Sequence, residues 1–423
     1  MELLQQVRVI DPTQGIDRPS DVLIANNQIK AIAPNITDYP DQTQLIAGQS
    51  LILGTGLVDL YSHSGEPGNE SRESLSDLVK AALAGGFTRV GVLPDTRPPI
   101  NNKEVLTALR YQSTYGQHQN WQHQPVLNFW GAAYSTSVAK QMNELAELKT
   151  EVIGFCDRYN LGNLNLLRQL LEYVRPWQKT IAVALDRNEL VGEGLIREGA
   201  ASIRYGMSGN PSFSESAIIA AVLEIVAEIP TPVHLMRVST NRGVDLIADA
   251  KSRSIPITSS TTWMHLLWDS DAVGSYDPNL RLEPPLGNKK DREALVMGIK
   301  QGTIDAIAID HQAYTYEEKT VPFGLAPPGV IGLEIALPLL WQQLVETQKL
   351  TALELWRALS SNPRQCWQQQ TLAISPEPNA NLILFDPQKT WIVNQENLKS
   401  PAANTPYYDR QITGKVIKTI VNG

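Results

Sequence analysis

The stretch Gly56-Leu57-Val58-Asp59-Leu60-Tyr61-Ser62-His63-Ser64-Gly65-Glu66-Pro67-Gly68 gathers groups suited to chemistry at one point of the chain. Its apolar part, Gly56 to Leu60, reads as a buried strand that runs into a polar loop carrying an imidazole and a carboxylate. A strand that delivers polar groups at its C-terminal end is how (β/α)8 barrels build active sites. Imidazoles and carboxylates converging there would hold a divalent ion. The supply is thin for a multi-histidine metal site, because the chain has six histidines in 423 residues.

The elements that would position such groups fall into two textures. Val7 to Ile10, Val22 to Ile24 and Ile29 to Ile32 are short β-branched runs with a turn at Asn26-Asn27. The C-terminus repeats this texture in Asn381 to Asp386, Trp391 to Val393 and Val416 to Val421. Between them strands alternate with amphipathic stretches: Thr88 to Pro94, Glu151 to Cys156, Thr180 to Leu185, Val233 to Val238, Ile255 to Ser259 and Thr303 to Ile309 are the strand candidates. Repeated βα units imply a parallel sheet, and residues 55–375 have the length of a closed barrel. The expected architecture is an α/β (β/α)8 TIM barrel over residues 55–375. Both chain ends, 1–54 and 376–423, would pair in a small composite β-sandwich domain. No Gly-x-Gly-x-x-Gly follows the first strand, which argues against a dinucleotide-binding sheet.

Composition narrows the function further. An apolar fraction of 42% with 19% charged residues fits a globular protein with a sizeable core. A net charge of -8 and a pI near 5.4 argue against nucleic acid or an anionic membrane as the main partner. No apolar window reaches the length of a membrane span, and the N-terminus lacks the pattern of a signal peptide. Two cysteines, Cys156 and Cys366, are too few for a disulfide framework, so they are expected as small buried hydrophobes in a reducing cytoplasm. Trp263, Trp268 and Trp356 are expected in the core, and His118 and His123 on a polar surface insertion, Gln117 to Gln124.

The opening segment resembles the signature of the dihydroorotases, in the cyclic amidohydrolase superfamily. There the strand ends in Asp-x-His-x-His followed by Arg-Glu-Pro-Gly. The likeness continues through Ala84-Gly85-Gly86-Phe87-Thr88, Leu93-Pro94-Asp95-Thr96-Arg97-Pro98 and Gly206 to Pro211 with Glu215. It runs on through Val233-His234-Leu235-Met236-Arg237-Val238-Ser239-Thr240, Pro284-Pro285-Leu286, Gly302 to His311, Pro327 to Glu334 and Asn381 to Asp386. The resemblance implies a metal-dependent hydrolase in which bound ions activate water and polarise an amide carbonyl.

Carried over residue by residue, the implied site is largely dismantled. Tyr61 stands at the first histidine position, Ala184 at a later one and Arg237 at the last. His63 keeps the second histidine, Asp157 matches the bridging acid, and Asp310 keeps the final aspartate, implied as a catalytic acid/base and here expected to be vestigial. The substrate-binding positions differ too: Gly65 replaces the carboxylate-binding arginine, Asp95 an asparagine, Gly287 an arginine and Tyr314 a histidine. A guanidinium has no lone pair and cannot be deprotonated at working pH, so Arg237 opposes a metal ion and is expected to pair with Asp310 or Asp157. His234 and His265 are expected to make structural hydrogen bonds, Tyr61 to fill space, and His311 either to orient Asp310 or to serve structure.

Three functions compete on this reading. A catalytically inactive dihydroorotase homologue would use no cofactor. The resemblance implies a structural role beside aspartate transcarbamoylase in pyrimidine synthesis, and a homodimer. An active cyclic amidohydrolase would work with a reduced, mononuclear zinc site on His63, Asp157 and Asp310. A small-molecule sensor would use the barrel mouth. The first is the expectation.

Overall fold

The computed structural model describes residues 1–115, 123–135, 141–156, 163–185, 188–376 and 381–422. Eight parallel strands form one sheet: β6 (Leu57–Ser62), β7 (Phe87–Val92), β8 (Val126–Ala132), β9 (Gly154–Cys156), β10 (Thr180–Val183), β13 (Val233–Leu235), β14 (Ile257–Thr262) and β15 (Ala306–Ala308), in that spatial order. A two-stranded ribbon, β11 (Ile196–Arg197) with β12 (Gly209–Asn210), sits apart from it. These barrel strands are buried on both faces, as strands covered by helices outside and by packed side chains inside must be. The inner face carries Val58, Leu60, Trp130, Ala182, Met236, Ala306 and Trp367, so the barrel is a filled core rather than a pore. Gly154 has no side chain because a Cβ there would lie 2.6 Å from the Trp130 ring and 2.3 Å from the Thr180 carbonyl oxygen.

The seam between β15 and β6 is closed by groups at the ends of the strands. The Asp310 N–H donates to the Tyr61 carbonyl at 3.1 Å and the His63 N–H to the His311 carbonyl at 2.8 Å. The Asp59 carboxylate accepts the Ile309 N–H at 2.8 Å and the Ser62 hydroxyl at 2.5 Å. Burial pushes the Asp59 carboxyl up to about 7, with these two bonds opposing the rise. Helices that follow the strands are capped from the sequence: Ser74 accepts from the Asp77 N–H, Thr240 from Gly243, and Asn288 with Asp291 forms a capping box.

Both chain ends meet in one seven-stranded sheet. It contains β1 (Glu2–Asp11), β2 (Ile16–Ala25), β3 (Gln28–Ala33), β4 (Gln44–Ala47), β5 (Ile52–Thr55), β16 (Leu382–Ile392) and β17 (Gln411–Ile420). β5 is the join: it lies parallel to β1 on one side and antiparallel to β16 on the other. Trp356 is fully buried beside it and donates its indole N–H to the Thr55 carbonyl at 3.1 Å. Trp263 is fully buried as well, and Trp268 donates to the Tyr407 hydroxyl at 3.0 Å.

Residues 393–410 leave this sheet and run onto the barrel as a strap. The Lys399 and Ser400 N–H groups donate to the Glu334 carboxylate, each at 2.9 Å, and the Ser400 hydroxyl to Glu73 at 2.5 Å. Asn404 donates to the Gln312 carbonyl at 2.9 Å and accepts from the Tyr314 N–H at 3.1 Å. Burial pushes the Glu334 carboxyl up to about 7 against those two N–H donors. A pKa raised on folding adds stability below the unfolded value, about 4.3 for glutamate, and that contribution is lost as pH rises through the folded value. The unfolding free energy therefore carries a downward slope between pH about 4.3 and about 7. Glu334→Gln is expected to flatten that slope in denaturant titrations at several pH values; an unchanged slope would remove Glu334 as its source.

Candidate functional site

The C-terminal ends of β6, β7, β13 and β15 bring four of the singled-out residues together. Arg237 follows β13 and Asp310 follows β15. The guanidinium forks onto the carboxylate, Nε to Oδ2 at 2.7 Å and Nη2 to Oδ1 at 2.6 Å. Both side chains are mostly buried, at 16% and 17% exposed, so the pair is weakly screened. Burial works against ionisation of Asp310, and the Arg237 charge overcomes it and holds the carboxyl well below the usual aspartate range. Both residues adopt positive φ, 55° and 51°.

His63 lies against this pair. Its Nδ1 donates to Asp95 Oδ2 at 2.5 Å, and its Nε2 faces Arg237 Nη2 at 3.2 Å and Asp310 Oδ1 at 3.5 Å. Burial opposes protonation, but the Asp95 and Asp310 carboxylates outweigh it and push the imidazole up to about 9. Charged, the ring has no lone pair. Neutral, its Nε2 lone pair meets the Arg237 N–H. Neither form offers a nitrogen to a metal ion.

Tyr61 is fully buried, and its hydroxyl has a defined task. It accepts the Arg237 backbone N–H at 3.1 Å and meets the Ser260 hydroxyl at 2.8 Å. Ser260 continues to His234 Nε2 and His234 Nδ1 to Thr258, each at 2.9 Å. Burial pushes His234 down to about 3, so the ring is neutral and passes one hydrogen bond along the chain. The expectation that Tyr61 merely fills space is therefore incomplete. Ser260 of β14 is its side-chain partner and Thr258 ends the chain of bonds, and nothing in their spacing marks them as such.

His265 is also neutral, pushed down to about 4 by burial, and bonds Thr262 at 2.7 Å and the Pro284 carbonyl at 3.1 Å. His311 does not orient Asp310. It turns away, with Nε2 at 3.1 Å from the buried Glu73 carboxylate and Nδ1 accepting the Gly332 N–H at 3.1 Å.

The other altered positions are filled by packing. A Cβ on Gly65 would lie 2.3 Å from the Glu73 carbonyl oxygen and 2.7 Å from that of Asn69, so the loop has closed where an arginine would project. A Cβ on Gly287 would meet Asp291 at 2.6 Å. The Tyr314 hydroxyl donates to the Pro328 carbonyl at 3.0 Å, with the Arg72 guanidinium 4.6 Å from its ring centre. Ala184, just past β10, presents only a methyl group. Asp157 and His118 lie outside the described residues. Among the described residues no group of three or more histidine, cysteine or acidic side chains is disposed to hold a metal ion. A hollow of about 150 Å³ remains beside the pair, lined in part by His63, Arg237, His265, Glu283, Asp310 and Gln312. A second, of about 140 Å³, shares His63 and Gln312 and reaches Asp95, Arg72 and Arg97.

Two residues hold the loop after β13: Glu215, which the motif match named without a role, and Arg197, which it did not name. Glu215 is buried and accepts the N–H and hydroxyl groups of both Ser239 and Thr240. Buried Arg197 donates to Ser239 at 2.7 Å and to Asn210 at 2.9 Å. Together they fix the turn that aims Arg237.

No family model matches the chain. In solved structures it is similar to an L-hydantoinase (dihydropyrimidinase) from Arthrobacter aurescens, with a TM-score of 0.82 over 100% of this chain and 95% of that one, at 19% identity. This likeness concerns the fold, a TIM barrel with a β domain. Among curated proteins it is 42% identical to a "probable dihydroorotase-like protein" of Synechocystis sp., covering 97% of this chain and 98% of that protein. It is 34% identical to a dihydroorotase of Syntrophus aciditrophicus, covering 100% of this chain and 98% of the relative. Similarity of this degree along the whole length means that the chain belongs to the dihydroorotase family.

Proposed function

We propose that this chain is a dihydroorotase-like protein of pyrimidine biosynthesis that has given up cyclic-amide hydrolysis and acts as a structural partner of aspartate transcarbamoylase. The observation that carries the reading is the Arg237 fork on Asp310. It occupies both oxygens of the one acid retained among the described ligand positions. A guanidinium is a permanent cation, and two like unit charges about 4 Å apart repel by about 4 kcal/mol at an effective dielectric of about 20. A divalent ion would meet at least that cost beside Arg237.

Among the described residues the remaining donors do not fit a metal either. His63 gives Nδ1 to Asp95 and turns Nε2 to Arg237, the Tyr61 phenol is kept protonated by burial, and Ala184 has no donor. A general base also needs an activated water beside it, and the Asp310 carboxylate is committed to the guanidinium. The site is thus electrostatically closed without an ion. The frame of glycines, capped helices and strand-end bonds is intact, which supports a role in assembly rather than chemistry. The transcarbamoylase partnership rests on the family to which the chain belongs.

Metal analysis of the purified protein is expected to find zinc well below one equivalent, and a dihydroorotate assay no turnover above buffer. Stoichiometric zinc with turnover abolished by Asp310→Ala would establish a mononuclear enzyme instead. Arg237→Met strands the buried carboxylate, so it is expected to cost about 3–5 kcal/mol of unfolding free energy, and adding Asp310→Asn to recover most of that. Denaturant midpoints of the single and double variants read this directly, and a loss below about 1 kcal/mol in the single variant would mean the pair does not replace an ion. Mixed with the transcarbamoylase at cellular concentrations, the chain is expected to co-elute with it on gel filtration; separate elution would remove the partnership.

A further inference from the structure

Among the described residues the three most exposed large apolar or aromatic residues are Ile203 at 83%, Leu325 at 76% and Tyr316 at 75%. All three stand on loops that follow barrel strands, at the mouth end. Ile203 lies on the short helix Ala200–Arg204 between β10 and β13, and Tyr316 and Leu325 on the turns Tyr316–Lys319 and Phe323–Leu325 after β15. Tyr276, half-exposed, ends the turn Ser270–Ser275 after β14. Each loop is fastened to the other two. The Tyr276 hydroxyl donates to the Tyr205 carbonyl at 2.9 Å, and the Tyr205 hydroxyl to the Asp271 carbonyl at 3.2 Å. Lys319 Nζ donates to the Pro278 carbonyl at 3.2 Å and to that of Pro327 at 2.7 Å. Leu195 closes the ring of contacts, since a Cβ on Gly324 would lie 3.1 Å from its δ-methyl group. The four side chains thus belong to one braced rim and are not scattered singly over the surface.

Covering this rim is favourable, because burying apolar area yields about 25 cal/mol per Å² and braced loops lose little freedom on docking. The same loops wall the hollow beside Arg237 through Leu282, Glu283 and Pro328. A working hydrolase must leave that end open to substrate, whereas a site closed by its own ion pair leaves the rim free to be covered. Charge decides what covers it. Glu193, Glu198 and Glu317 on these loops are exposed and, among the described residues, none forms an ion pair, while the exposed cation Arg204 is taken by Asp271. A second copy meeting this face with its own would set acid against acid, because an isologous contact repeats one patch on both sides. Nucleic acid or an anionic membrane meets the same repulsion. The complementary surface is a basic one with apolar side chains at its centre.

We propose that this rim is the docking face for the protein partner of the assembly, and that the partner meets it with a surface that is apolar and rich in lysine and arginine. The inference rests on the assembly role proposed above and adds where the contact is made and by what chemistry. Ile203, Tyr316 and Leu325 are its anchors, and the three glutamates set orientation and encounter rate.

The test is gel filtration and calorimetric titration of the full chain with the transcarbamoylase at low and high salt. Ile203→Asp and Leu325→Asp are each expected to weaken the complex about tenfold or more, with Tm unchanged because both side chains lie in solvent. Glu198→Lys combined with Glu317→Lys is expected to weaken binding at low salt and to reduce the loss of affinity that added salt causes in the wild-type complex. Ile417→Asp, at an exposed apolar position on β17, is expected to change nothing. No complex with the wild-type chain would overturn the assembly reading and the docking face together. A wild-type complex matched by both rim aspartate variants, or lost in Ile417→Asp, would overturn the docking face alone, as would self-association of the chain that Ile203→Asp abolishes.

Discussion

The Asp310 carboxylate stays ionised in the buried mouth of this barrel chiefly because a guanidinium that cannot lose its charge faces it. The Arg237–Asp310 pair spans β13 and β15, and one residue of β6 anchors both partners. The Tyr61 hydroxyl accepts the Arg237 N–H, and the Tyr61 carbonyl accepts the Asp310 N–H. Both partners occupy the left-handed region of backbone space, where a residue with a Cβ is strained by about 1–3 kcal/mol. A short bidentate pair and two backbone bonds to a buried tyrosine oppose that strain. The ion pair, the barrel seam and the course of two strand ends are therefore one interdependent structure.

Around this centre the ionisable groups sort by what faces them. His63 meets two carboxylates and is pushed up; His234 and His265 meet hydroxyls, a carbonyl and apolar walls and are pushed down. The same side chain thus bridges two carboxylates in one place and relays hydrogen bonds between neutral groups in the others. Proximity to a former ligand position does not decide which. His311, next to Asp310 in sequence, belongs to the Glu73 and strap network instead.

Much of the fold was legible in the sequence. Alternating apolar runs and amphipathic stretches specify a parallel barrel, and β-branched runs at both ends specify strands of one domain. An ion pair for Arg237, with Asp310 or Asp157, was legible for a chemical reason: a fixed cation without a lone pair, beside a buried acid, has few other stable arrangements. Asp95 as the partner of His63 was not. It comes from a different strand end, and its type alone names no partner. Nor was the closure at Gly65, because that depends on where the backbones of Asn69 and Glu73 run. The course of residues 393–410 onto the barrel was hidden for a related reason: its bonds go to a backbone carbonyl and to carboxylates 65 and 327 residues away. Such contacts leave no periodicity in the chain.

The strap and β16 also impose an order in time. Ribosomes deliver the N-terminus first, and domains tend to form as they emerge. Here β5 has its β1 partner almost at once, but its other edge waits for β16, more than three hundred residues later. During that interval the nascent chain exposes an unpaired apolar edge, a template for mispairing with a neighbouring chain. The buried carboxylates Glu73 and Glu334 likewise lack Ser400 and Lys399 until the last segment is released. The barrel mouth of this protein is thus finished from the C-terminus, and a chain stalled short of residue 382 would carry its core without the parts that seal it.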